Sequence, residues 1–175
     1  MKSIVLIGFM GTGKTSAGRL LAGRLGRQFI DIDRRIERES GLAISEIFAR
    51  HGEAYFRAKE KEMIARVSRY RRAVIATGGG VVLDPANMER LRAGGVIVCL
   101  TASVQTILER TGRRSTRPLL ERPDREEVVA RLLAERAPLY AAADFTVDTS
   151  NISPRLAAEK IIAFLRQEGH INGRN

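Results

Sequence analysis

The sequence predicts an α/β protein in which a five-stranded parallel sheet lies between two layers of helices. Three observations carry that expectation. Short β-branched runs (SIVLIG, QFIDI, AVIAT, GVIVCLT and ADFTVD) alternate with longer amphipathic stretches, and this alternation calls for parallel strands joined by helical crossovers. Capping signals stand at the joints between them. The chain has 175 residues, 44% of them apolar, which is enough for one sizeable core but short for two, so residues 1–175 are expected to form a single domain.

Taken in order, the first strand covers SIVLIG and leads into a helix over about 14 to 26. QFIDI supplies the second strand, and helical pattern resumes from 34 to 70 in two or three pieces. The third strand is AVIAT. A helix over 85 to 93 follows, started by Asp84-Pro85 and stopped by Gly94-Gly95, a capping side chain before a first-turn proline and then a glycine stop. GVIVCLT is the fourth strand, followed by helices over 103 to 110 and 125 to 137. Asp124 with Glu127 has the spacing of a capping box before the second of these. After the fifth strand, ADFTVD, Ser153-Pro154 opens a last helix over 154 to 167, and the tail EGHINGRN is expected to fray. Two segments exceed a simple crossover: 34–70 is too long for one helix, and 111–123, TGRRSTRPLLERP, is a basic loop broken by a glycine and two prolines. Ligand sites of such sheets form from segments at the carboxyl ends of the strands.

The charge balance narrows the partners. Thirty basic residues, mostly arginine, give a formal charge of +10, which suits nucleic acid or small polyanions, because arginine grips phosphate and carboxylate through a planar fork. The six phenylalanines and three tyrosines are scattered and form no stacking platform, so nucleic acid is not the expected partner. MKSIVLIGFMG lacks the cleavage site of a secretory signal, and no apolar run reaches the ~20 residues of a membrane helix. A soluble cytoplasmic protein, acting as a monomer, is expected. Cys99, in VIVCL, reads as a small buried thiol. His51 and His170 have no partner at metal-ligand spacing and read as surface residues.

Three stretches carry chemistry. GFMGTGKT, Gly8 to Thr15, is a full match to the P-loop pattern between a strand and a helix. Backbone amides from Gly11 to Thr15 can ring a β-phosphate, Lys14 adds charge between β and γ, and Thr15 offers a hydroxyl to Mg²⁺. Asp31-Ile32-Asp33 ends the second strand. With strand periodicity both carboxylates point to one side, Asp31 placed to support Mg²⁺ and Asp33 to receive the proton of an attacking hydroxyl; the plainer alternative is that Asp33 caps the next helix. Gly78, Gly79 and Gly80 directly follow the third strand, where three residues without a Cβ imply that something approaches the backbone closely.

Together GFMGTGKT, FIDID, the FR of AYFRAKE, GGG, RPLL and ERAPLY, in this order and at these separations, resemble shikimate kinase, of the nucleoside-monophosphate-kinase-like branch of the P-loop fold. The resemblance runs from about residue 2 to 165. It implies transfer of the γ-phosphoryl of MgATP to the 3-hydroxyl of shikimate, giving shikimate 3-phosphate and ADP in aromatic amino-acid biosynthesis. By the same resemblance Gly11, Thr12, Gly13, Lys14, Thr15 and Ser16 bind ATP, and Asp31 supports the metal with Thr15. Asp33, Arg57, Gly79 and Arg136 match shikimate-binding positions, with Gly78 and Gly80 flanking. Arg117 matches the lid arginine that reaches ATP, and Arg110 and Pro154 match positions flanking adenine. Ser153 stands where some relatives carry a basic residue. A substrate-binding insertion over about 33–61 and a lid over about 111–124 complete the expectation.

Glu60, three residues after Arg57, has the spacing to orient its guanidinium. Phe48 and Phe56 can wall a sugar-like ring or serve the core. The rival functions are gluconate kinase, which shares the scaffold; a nucleotide-binding relative without kinase activity; and a basic nucleic-acid-dependent ATPase.

Overall fold

The computed structural model describes residues 1–112 and 123–171. Its five strands are β1 (Ser3–Ile7), β2 (Gln28–Asp31), β3 (Ala73–Ala76), β4 (Gly95–Thr101) and β5 (Phe145–Asp148), with helices α1 (Lys14–Arg24), α2 (Ile32–Ser40), α3 (Ile44–Val67), α4 (Pro85–Gly94), α5 (Val104–Gly112), α6 (Arg125–Tyr140) and α7 (Pro154–Gln167). All strand pairs are parallel, in the order β2-β3-β1-β4-β5. β1 is central because it is apolar on both faces. Ile4 and Leu6 point into one core with Leu21 of α1 and Ile161 and Leu165 of α7, while Val5 and Ile7 point into the other with Ile64 of α3, Leu91 of α4, Ile107 of α5 and Val129 of α6. The alternation of side chains along a strand thus fills two helical layers from one sheet.

The caps expected at Asp84 and Ser153 are formed: Asp84 accepts from the Ala86 amide and Ser153 from the Leu156 amide. The expected capping box at Asp124 is not, since its side chain makes no capping hydrogen bond. The helical segment 34–70 divides at Gly41 and again at Gly52, which at φ 82° interrupts α3. The tail departs from expectation over 168–171. There the amides of Gly169 and His170 bond the carbonyls of Arg166 and Leu165, closing α7, and Ile171 is buried against the α1/α7 core. His170 is partly covered at the surface beside Phe164, and His51 is exposed. Cys99 is buried as expected, and burial pushes its thiol up to about 11.

Candidate active site

The phosphate loop joins β1 to α1. Its glycines are required by geometry: Gly13, immediately before α1, has φ 93°, a left-handed conformation costly for any residue with a Cβ. A Cβ on Gly8 would lie 2.2 Å from the Leu100 carbonyl oxygen. Lys14 is buried and its ammonium donates to the carbonyls of Gly8 and Phe9, at 2.7 and 2.9 Å. Thr12 closes the turn on Phe9 through a 2.7 Å bond. Ser16 is exposed in the first turn of α1.

Thr15 and Asp31 meet as expected. The Thr15 hydroxyl donates to Asp31 Oδ2 at 2.9 Å, which sets a hydroxyl and a carboxylate side by side next to the loop. Both are hard oxygen donors, the kind Mg²⁺ accepts while keeping several waters, so the pair fits that ion. The strand-periodic picture of Asp31 and Asp33 needs correction. β2 stops at Asp31, which is itself the cap of α2 and accepts from the Arg34 amide; Asp33 is the second residue of that helix. The helix turn, rather than the pleat, separates the two carboxylates, and capping falls to Asp31, not Asp33.

The glycine run is where the rest of the site converges. A Cβ on Gly78 would come 2.9 Å from Asp33 Oδ1 and 3.0 Å from Glu60 Oε2, and one on Gly80 would come 2.3 Å from Arg57 Nη2. One on Gly79 would sit 3.3 Å from the amide nitrogen of Met10 in the phosphate loop. The protein's own charged side chains therefore occupy the volume that side chains at positions 78 and 80 would fill, while Gly79 lies against the backbone of the phosphate loop. None of the three glycines has a positive φ, so space, and not backbone conformation, is what excludes side chains here.

Two arginines border this run. Arg57 donates to Glu60 Oε1 at 2.8 Å and its Cζ stands 5.3 Å from the centre of the Phe56 ring, which itself packs on Phe48 at 5.0 Å. Glu60 is 1% exposed. Burial raises its carboxyl above the usual range, Arg57 opposes the shift and Asp33 adds to it. Arg136, 7% exposed, lies over the Phe9 ring at 5.5 Å and donates to the Gly79 carbonyl at 3.3 Å. Such a cation over a ring face within ~6 Å is attracted to it, so an element distant in sequence is drawn onto the phosphate loop.

On the other side of the loop, Arg110 donates to the Gly11 carbonyl at 3.2 Å and to Thr149 Oγ1 and its carbonyl at 3.0 and 2.5 Å. Thr149 in turn donates to the Thr12 carbonyl at 2.8 Å. These bonds tie the phosphate loop to the β5–α7 connection, which ends at Ser153 and the exposed Pro154. Thr149 carries no motif that a sequence could have flagged. Tyr140 stands in ERAPLY four residues after Arg136, and helical spacing was its one available signal. Arg117 and positions 113–122 lie outside the described residues.

A phosphate loop at the end of a central parallel strand, an adjacent hydroxyl–carboxylate pair and a cluster of Asp and Arg side chains on the glycine run define an ATP-dependent kinase of the nucleoside-monophosphate-kinase-like P-loop fold. The chain belongs to the shikimate kinase family, whose model, described as "Shikimate kinase", matches residues 10–166. The shikimate kinase of Thermodesulfovibrio yellowstonii is 54% identical over 93% of this chain and 94% of its own. That of Pelotomaculum thermopropionicum is 46% identical over 98% and 99%. Among solved structures, the shikimate kinase of Acinetobacter baumannii in complex with shikimate superimposes with a TM-score of 0.93 at 38% identity, covering 96% of this chain and 94% of that one.

Proposed function

We propose that the protein transfers the γ-phosphoryl of MgATP to the 3-hydroxyl of shikimate, releasing shikimate 3-phosphate and ADP in aromatic amino-acid biosynthesis. The observation that carries this assignment is the meeting of Asp33, Arg57 and Arg136 on one glycine run that itself abuts the phosphate loop. Asp33 accepts the proton of the 3-hydroxyl as its oxygen bonds to the γ-phosphorus and the bond to the β,γ-bridging oxygen breaks. Arg57 and Arg136 pair with the acceptor's carboxylate, which otherwise enters a partly dry site uncompensated. Gly79 offers backbone to a ring hydroxyl.

Gly11 to Ser16 bind the phosphates through amides and the α1 N-terminus. Lys14 exchanges its loop carbonyls for phosphate oxygens. Thr15 and Asp31 would hold Mg²⁺, which when bound would offset the negative charge of the phosphates. Arg110 and Pro154 flank the adenine, and Arg117 of a lid over about 111–124 meets the transferred group. Segment 33–61 serves as the acceptor-binding insertion. No helix among the described residues is long and apolar enough to cross a membrane, and we place the enzyme in the cytoplasm as a monomer.

Coupled measurement of ADP release with shikimate, gluconate or RNA as the added partner tests this assignment. Turnover is expected with shikimate alone. Release driven by gluconate, or by RNA without a small acceptor, overturns it.

A further inference from the structure

Tyr140, the last residue of α6, is 6% exposed, and its hydroxyl donates to the Gly79 carbonyl at 2.7 Å. That carbonyl also receives Arg136 Nη1, at 3.3 Å. A carbonyl oxygen has two lone pairs, so both are engaged by side chains of one helix. Arg136 and Tyr140 stand four residues apart and so share a helix face. The phenol makes the shorter bond and is the firmer anchor.

The placement matters because Gly79 is the middle of three glycines, the stretch of chain with the least intrinsic preference for any one backbone conformation. The neighbouring side chains settle the space around the run without settling its peptide planes: Asp33 and Glu60 crowd Gly78 and Arg57 crowds Gly80. Backbone bonds tie the flanking carbonyls, Gly78 to the Val81 amide and Gly80 to the Leu83 amide, whereas the Gly79 carbonyl is held from α6. Burial pushes the phenol up to about 12, with Arg136 opposing the shift, so the hydroxyl keeps its proton and remains a donor throughout the working pH range.

We infer that Tyr140 is a positioning residue for the acceptor: by clamping the Gly79 carbonyl it orients the glycine backbone and holds Arg136 beside it, without itself touching substrate. This rests on the assignment of Gly79 and Arg136 to the acceptor given above. On the nucleotide side other side chains hold the loop carbonyls, namely Thr12, Thr149 and Arg110. Loss of the Tyr140 bond should therefore act on one substrate and not on the other.

The test is Tyr140→Phe, which keeps the ring and its packing and removes only the donor. Steady-state kinetics at saturating ATP should show a rise in the shikimate KM of about 5- to 20-fold, in the range of one lost hydrogen bond, with the ATP KM within about twofold of wild type. Replacement of Tyr140 by 4-aminophenylalanine, which restores a donor at the same place on the ring, should recover most of the loss and serves as the decisive comparison if the phenylalanine variant folds poorly. In an Arg136→Ala background the further effect of Tyr140→Phe should shrink, because Tyr140 acts in part by holding Arg136 in place. A shikimate KM unchanged in Tyr140→Phe, or ATP and shikimate KM rising together, overturns the inference, as does an amino variant no better than phenylalanine. Failure of the wild type to phosphorylate shikimate would instead refute the underlying assignment, so the two failures are distinct.

Discussion

Gly80→Ala adds one methyl group to the site, and the consequence can be followed atom by atom. Gly80 has φ −94° and ψ 4°, a conformation alanine also adopts, so no backbone strain enters. The new Cβ would lie 2.3 Å from Arg57 Nη2, 2.5 Å from Nη1 and 2.7 Å from Cζ. Ordinary contact begins near 3.4 Å, so the guanidinium must retreat by about 1.1 Å, the difference between 3.4 and 2.3 Å. The Arg57 side chain is 28% exposed and can move, whereas its partner Glu60 is at 1% and cannot follow.

Two costs follow from that retreat. The 2.8 Å bond to Glu60 is stretched or lost, leaving a buried carboxyl less well paired, at a cost of about 1–3 kcal/mol. A catalytic or binding group displaced by about 1 Å can lose up to ~10² in rate, so kcat/KM for shikimate should fall about 10- to 100-fold while the ATP KM stays close to wild type. Urea unfolding measures the first cost and the coupled ADP assay the second. Adding Gly80→Ala to Arg57→Ala should cost little more than Arg57→Ala alone, since the clash exists only while the guanidinium is there. Wild-type shikimate kinetics in Gly80→Ala would refute the account, because the space at Gly80 would then not be reserved for Arg57.

Asp33→Asn keeps the shape and removes the proton acceptor, so kcat should fall about a hundredfold or more; near-normal turnover would leave Asp33 a binding residue. Arg136→Lys replaces a planar fork with a point charge, and the shikimate KM should rise about 10- to 100-fold with the ATP KM little affected, while an unchanged shikimate KM would remove Arg136 from the carboxylate. Glu60→Gln tests the buried carboxyl through pH. Because folding raises the Glu60 pKa above its ordinary 4.5, its contribution to stability is fully present below that value and is lost as pH rises through the folded value. The melting temperature of Glu60→Gln relative to wild type should therefore climb from pH 4.5 upward, and a flat or falling difference would show that the Arg57 pair outweighs burial.

What the sequence determined by itself was mostly local, the capping box at Asp124 and the Asp31–Asp33 strand end excepted. Strand and helix order followed from periodicity, and the caps at Asp84 and Ser153 from side chains that bond amides two or three residues away. The phosphate loop was equally legible, because its whole pattern lies within one short run, Gly8 to Thr15. The ordered set from GFMGTGKT to ERAPLY identified the family, and Arg57, Arg136 and Glu60 would have been three charges among many without it.

Tertiary structure decided the rest, through contacts between residues far apart in the chain. One outcome that the sequence reading missed is nevertheless local: β2 ends at Asp31 because the Arg34 amide, three residues on, bonds the Asp31 carboxylate at 3.2 Å, a competition between pleat and helix cap. Why positions 78–80 carry no side chain could not be read from their neighbours in sequence, since the atoms that exclude a Cβ belong to Asp33, Glu60, Arg57 and Met10. The same holds for Thr149 and Tyr140, whose hydroxyls reach carbonyls 137 and 61 residues away. Periodicity reports which way a side chain leaves its own helix or strand; only the packing of α3 and α6 around the end of the sheet determines what it meets there.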